Sequence, residues 1–245
     1  MGITAEHLVK CYGRRIAVND LSFTLGSGCV LGFIGPNGAG KTTTMRMLCG
    51  IHKPDSGRVL INGVDPVSDP AGAKEKLGYL PENAPLYSNM TVLSFLKWCG
   101  SMRGLAGAEL RNAVGRVMDE CSLRNVAGEE IDSLSKGYRR RVCLAQSIIH
   151  SPQVLVMDEP TDGLDPNQKR DIRALIRRMR NSCAIIVSTH ILEEVDAVCD
   201  RVLAINAGKP VFSGSVGEFR GISGGTLEDS FRQLTSAAEA GGEER

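Results

Sequence analysis

The sequence predicts an α/β fold around a mainly parallel sheet, with an antiparallel β subdomain at the N-terminus and a helical subdomain inserted in the core. Three observations predict it. Short continuous apolar runs, at residues 154–157 and 184–187, read as strands buried on both faces. Segments of helical apolar period follow each run, the pattern of a parallel sheet with crossover helices. Between about residues 83 and 150, helical spacing stands without any strand.

Taken in order, residues 3–9 and 21–25 read as strands. Arg58, Val59, Leu60 and Ile61 form another, between the turns Pro54-Asp55-Ser56-Gly57 and Asn62-Gly63. Residues 29–34 are a further apolar strand, and Thr43 to Leu48 read as the first turns of a helix. Thr91 is placed to cap a helix ending at Met102, with Val92, Phe95, Leu96 and Cys99 on one side. Leu110, Val114, Val117, Met118 and Cys121 mark the next helix. After the strand at 154–157 come a helix over 167–180, the strand at 184–187 and a helix over 191–199. Residues 201–206 and 210–212 flank the turn Ala207-Gly208. The predicted organisation is one domain over 1–220, with 83–150 inserted, and a tail over 221–245 whose small, polar end from 237 is expected to be disordered.

The 245 residues allow one large domain or two small ones, and 42% hydrophobic with 23% charged content suits a soluble globular protein. A net charge of +1 supplies no global attraction to nucleic acid or anionic lipid. No apolar stretch approaches the roughly 18–20 residues that span a bilayer. Glu6, His7 and Lys10 interrupt any signal-peptide core. A role at a membrane would therefore need a second chain. The eight cysteines include no C-x-x-C pair, and read as reduced thiols.

The chemistry starts at Gly35-Pro36-Asn37-Gly38-Ala39-Gly40-Lys41-Thr42, which fits the phosphate-binding pattern G-x-x-x-x-G-K-[ST] at every fixed position. A strand before it and a helix after it give the pattern its physical meaning. Backbone N–H groups wrap a phosphate chain and the helix N-terminus adds a favourable field. Lys41 would reach the β- and γ-phosphates, and the Thr42 hydroxyl would hold Mg²⁺. The strand at 154–157 then runs into Asp158-Glu159 at the ligand edge of the sheet. Asp158 would hold Mg²⁺ through water. Glu159 is the candidate general base for an attacking water, a role typically giving about 10²–10⁴ in rate. Ser135 would cap a helix that starts with Lys136-Gly137-Tyr138-Arg139-Arg140-Arg141, a second anion site. Those arginines read equally as a solvated basic face or a weak nucleic-acid patch.

Together these residues resemble the ATP-binding subunits of ABC transporters, over about residues 3–215. Leu134-Ser135-Lys136-Gly137-Tyr138 looks like the family's signature loop, its most diagnostic part. Asp158-Glu159-Pro160-Thr161 matches Walker B, Gly163-Leu164-Asp165-Pro166 the D-loop, and Ser188-Thr189-His190 the switch motif whose histidine meets the γ-phosphate. Tyr12 matches the aromatic that stacks on adenine. The resemblance implies a P-loop NTPase core that binds ATP and Mg²⁺ and hydrolyses ATP. ATP would lie between residues 35–43 with Asp158 of one subunit and Ser135 and Gly137 of a second, Asp165 adding to the same joint. Gly78-Tyr79-Leu80-Pro81-Glu82 matches the Q-loop with Glu82 in place of glutamine; a carboxylate there can bind the Mg²⁺ shell or orient water but donates no hydrogen bond while ionised. Lys136 and Tyr138 depart from the commoner glycine and glutamine. These variants, with Thr226-Leu227-Glu228-Asp229-Ser230-Phe231, look like the exporter branch whose partner is an ABC-2-type polytopic permease. That branch implies a homodimer on the cytoplasmic face of the membrane, and no nucleic-acid partner. A soluble ABC-type ATPase of cofactor assembly, or a nucleotide-binding regulator without turnover, are the alternatives.

Overall fold

A computed structural model describes residues 2–83 and 85–240. Strands β1 (Gly2–Tyr12) and β2 (Arg15–Gly26) precede β3 (Val30–Ile34), and β4 (Ser56–Ile61) returns to the first pair. The resulting three-stranded antiparallel sheet has the order β2-β1-β4. Both hairpin strands run longer than the apolar spacing foretells. Their added ends mix exposed Tyr12, Arg15 and Ile16 with buried Ala17 and Val18, and bulges break the β1–β2 register after Ala5, so no alternation shows in the sequence.

The main sheet holds β5 (Leu77–Leu80), β6 (Val154–Asp158), β7 (Ala184–Thr189), β8 (Arg201–Asn206) and β9 (Lys209–Ser215) around β3, in the order β5-β6-β7-β3-β8-β9. The first five strands are parallel and β9 pairs antiparallel with β8. The β8–β9 turn has Ala207 at φ 47° and Gly208 at φ 78°, as a two-residue hairpin requires. Both faces of the sheet are covered. On β6 and β7, Leu155, Met157, Ile185 and Val187 point into the core beneath the inserted helices. Val154, Val156, Ala184 and Ile186 alternate with them and pack with the antiparallel sheet. This two-sided burial is why these strands appear as unbroken apolar runs.

Helix α1 (Lys41–Leu48) follows β3, and α2 (Pro70–Lys76), capped by the Asp69 side chain, leads into β5. The segment between β5 and β6 carries α3 (Val92–Met102), α4 (Gly107–Glu120) and α5 (Lys136–Ile148). The Thr91 hydroxyl accepts from the Ser94 N–H at 3.2 Å and caps α3. Helices α6 (Pro166–Met179) and α7 (Leu192–Val198) flank β7. After β9, α8 (Val216–Gly221) and α9 (Leu227–Ala240) pack on α7 and β8 through Phe219, Leu227, Phe231 and Leu234. Of the tail expected to be disordered, residues 237–240 lie in α9 and 241–245 fall outside the described residues. All eight cysteines are free thiols.

Candidate active site

Three adjacent strands end at one edge of the main sheet: β3 at Ile34, β7 at Thr189 and β6 at Asp158. The loop from Gly35 to Gly40 turns there into α1. Gly40 has φ +105°, and a Cβ on it would lie 2.2 Å from the Ala17 carbonyl oxygen, so only glycine permits this turn. The Ala39 N–H donates to Pro36 O at 3.2 Å, and Gly208 N–H donates to Ala39 O at 3.0 Å, tying the loop to the β8–β9 turn. The Arg15 guanidinium donates to Gly38 O at 2.9 Å. No side chain caps α1. Its first N–H groups therefore face the cleft as an anion site.

Lys41 is 7% exposed. Its Nζ donates to Gly35 O at 2.7 Å and to Pro36 O at 3.2 Å. Burial pushes the ammonium pKa down, and the carboxylates of Glu159, Asp158 and Glu82 push it back up. These carbonyl contacts hold the cation where a phosphate oxygen could replace them.

At the end of β6, Asp158 is 1% exposed, and neither carboxylate oxygen has a hydrogen-bond partner. A buried carboxylate left so is costly unless a ligand satisfies it. Its hard oxygens, with the Thr42 hydroxyl and the Glu82 carboxylate, suit Mg²⁺. Among the described residues no cluster of three or more His, Cys, Asp or Glu could hold a metal alone. Phosphate and water would complete the shell, as Mg²⁺ prefers. Glu159 follows with φ +48°, a strained left-handed conformation for a non-glycine residue, and its N–H donates to Ser188 O at 2.9 Å. Its Oε1 lies 2.9 Å from His190 Nδ1, while its Oε2 is buried without a partner.

One cleft of about 550 Å³ brings together Tyr12, Asn37, Gly38, Gly40, Lys41, Thr42, Thr43, Glu82, Glu159 and His190, with Asp158 buried behind its wall. Gly35, Pro36 and Ala39 shape the loop beneath rather than the cleft wall. Tyr12 is half exposed, with its hydroxyl 2.7 Å from His52 Nδ1, which leaves a ring face for stacking. Ser135, Gly137 and Asp165 do not line this cleft. Ser135 Oγ accepts from Tyr138 N–H at 3.4 Å and Asp165 Oδ1 from Gln168 N–H at 3.0 Å, so each caps its own helix. Gly137 abuts Gln168, whose Nε2 would lie 2.2 Å from an added Cβ. The sequence reading did not include Arg15, Ala17 and Asp162, which also line the cleft. Asp162 adjoins the Asp-Glu-Pro-Thr stretch, the one signal that could have found it; Arg15 sits in a hairpin with no motif of its own.

Residues 18–162 match the family described as ABC transporter. The linearmycin resistance ATP-binding protein LnrL of Bacillus subtilis is 33% identical over 95% of this chain and 74% of its own length. The probable multidrug ABC transporter ATP-binding protein YbhF of Escherichia coli is 34% identical over 95% of this chain, which spans only 41% of that relative. A solved ATP-binding subunit of an ABC transporter superposes with a TM-score of 0.88 at 26% identity, covering 96% of this chain and 99% of that one. The chain belongs to the ABC transporter family, as an ATP-binding subunit with ATPase activity.

Proposed function

We propose that this chain powers an ABC-2-type exporter by closing head-to-tail on a second ATP-binding subunit around each ATP. The observation that carries this reading is the split of the site. Lys41, Glu159 and His190 share one cleft, while Ser135 and Gly137 at the start of α5 stand outside it. A chain arranged so needs another copy to bring a signature loop over its phosphates.

In this reading Lys41 moves from its carbonyl partners to the β- and γ-phosphates, and Tyr12 stacks on the base. Mg²⁺, held by Thr42, Asp158 and Glu82, would neutralise charge on the phosphates. Glu159 Oε2 takes a proton from the attacking water, and His190 keeps Oε1 oriented and faces the transferred charge. Ser135 and Gly137 of the partner enclose the γ-phosphate, and its loss on hydrolysis releases the pair.

The exporter branch draws support from Glu82, Lys136 and Tyr138, and from relatives named for linearmycin resistance and multidrug transport. No helix among the described residues is long and apolar enough to cross a membrane. Tyr87 and Trp98, exposed and in edge-to-face contact close to the Glu82 loop, offer a polytopic permease a docking face on the cytoplasmic side.

Mixing two inactive chains tests the split site. Lys41→Ala disables one loop and Ser135→Arg one signature cap. In a head-to-tail homodimer the mixed pair keeps one intact site and regains turnover. A site completed within one chain, or an obligate heterodimer, regains none. Co-purification with a polytopic membrane protein checks the exporter assignment.

A further inference from the structure

Arg140 lies one turn into α5 and is 9% exposed. All five N–H donors of its guanidinium are used, and every acceptor is a main-chain oxygen. Nη1 donates to Pro81 O at 2.7 Å and Glu82 O at 2.8 Å. Nη2 donates to Asp158 O and Glu159 O, each at 2.7 Å, and Nε to Pro160 O at 3.2 Å. The flanking residues differ: Arg139 is exposed and Arg141 pairs with Asp171 at 2.8 Å.

This one side chain joins three segments: the loop after β5, the end of β6, and the helix that Ser135 caps. Two of its acceptors belong to Glu82 and Glu159, which with Asp162 are the acidic residues lining the cleft beside Lys41. Glu159 holds a strained φ, which persists only when neighbours over-determine it. The two guanidinium bonds to the carbonyls of Asp158 and Glu159 fix the peptide planes on either side of the Glu159 Cα. A lysine, with three donors on one nitrogen, cannot span five carbonyls in a fork.

We propose that Arg140 is a positioning residue that locks the backbones of Glu82 and Glu159 to the signature helix. It touches no reacting atom. It keeps both carboxylates in place and makes them move with the Ser135 cap. The carboxylates of a chain's own site are thereby linked to the loop that serves its partner's site. This rests on the preceding reading, in which Glu159 acts on water.

Arg140→Lys and Arg140→Gln in the full-length chain test it. The readouts are thermal unfolding, equilibrium ATP binding, kcat with KM, and amide hydrogen exchange at residues 81–83 and 159–163. In Arg140→Lys, kcat falls about 10–100-fold, the scale of a misplaced catalytic group, while ATP affinity stays at the wild-type value; the unfolding temperature falls somewhat, because some of the buried carbonyls lose their donor. Exchange rises in both segments together. Millimolar guanidinium added to Arg140→Gln restores part of kcat. Wild-type kcat in both variants, or loss of kcat, affinity and unfolding temperature together, overturns the proposal. A wild-type chain that binds ATP without turnover defeats the preceding reading instead, and Arg140 then stands or falls on exchange alone.

Discussion

Glu159 Oε1 and His190 Nδ1 meet at 2.9 Å, across the ends of two adjacent parallel strands. An ionised carboxylate only accepts, so His190 Nδ1 carries the shared proton. The second oxygen, Oε2, is buried and has no partner. One oxygen is held and the other keeps its acceptor capacity unused, as a general base requires. Glu159→Gln keeps the shape and removes the basic oxygen. Phosphate release should fall by about 10²–10⁴-fold, with ATP binding intact and the ATP-bound dimer trapped. Unchanged steady-state turnover in this variant would sink the assignment.

Lys41 is the cation of the loop, and its two carbonyl contacts show how little else holds it. Lys41→Ala should weaken ATP binding by roughly 10–100-fold, the loss expected for a charge-assisted hydrogen bond. Circular dichroism should stay that of the wild type, because the ammonium is a buried charge rather than a packing element. Gly40→Ala should behave differently. Its Cβ would press on Ala17 O at 2.2 Å and φ +105° suits no other residue, so binding and unfolding temperature fall together. Equal ATP titrations for Lys41→Ala and wild type would exclude the phosphate role.

The parts legible in the sequence are those where burial is two-sided or a turn is glycine-bound. Residues 154–157 and 184–187 declare themselves because both faces are covered, and the Gly35–Lys41 loop because only glycine turns there. Strand β5 stayed hidden: it is four residues long and Gly78 interrupts its apolar pattern. Helix α9 hid in a small, polar tail, although Leu227, Phe231 and Leu234 already had helical spacing. The signature arginines show the limit most clearly. Arg139, Arg140 and Arg141 are chemically identical in the sequence, and only α5's rotation against the sheet turns Arg140 inward. The split of the site between Lys41 and Ser135 is likewise a matter of tertiary placement, which the resemblance implied and no spacing could give.

Arg173 on α6 grips Glu194 on α7 with two bonds, Nε to Oε2 at 2.9 Å and Nη2 to Oε1 at 2.7 Å. The Glu194 side chain is 3% exposed. Helix α6 follows the Gly163–Pro166 turn and α7 follows His190, so this pair ties two elements of the site. Arg173→Ala leaves a buried carboxylate unpaired, which typically costs about 3–5 kcal/mol. The double variant Arg173→Met with Glu194→Leu should recover most of that loss. Urea unfolding distinguishes the cases; an Arg173→Ala midpoint equal to wild type would show the pair to be energetically idle.

His150 closes α5 against β5, where Nε2–H donates to Leu77 O at 3.0 Å and Nδ1 is buried without a partner. Burial pushes its pKa down to about 4, and the charges of Arg103 and Arg116 push the same way against the Leu77 bond. In the unfolded chain a histidine titrates near ~6.5. Between those values the unfolded chain binds a proton that the folded chain refuses. The stability that neutral His150 contributes is thus complete above the unfolded value and is lost as pH falls toward about 4. Allowing for partial solvent access, the loss between neutral pH and a mildly acidic buffer amounts to ~1–2 kcal/mol. His150→Gln keeps a donor for Leu77 O and removes the titration, so its stability should change less with pH. Urea unfolding of both chains across this range decides the matter: parallel pH profiles would mean that His150 is not the group responsible.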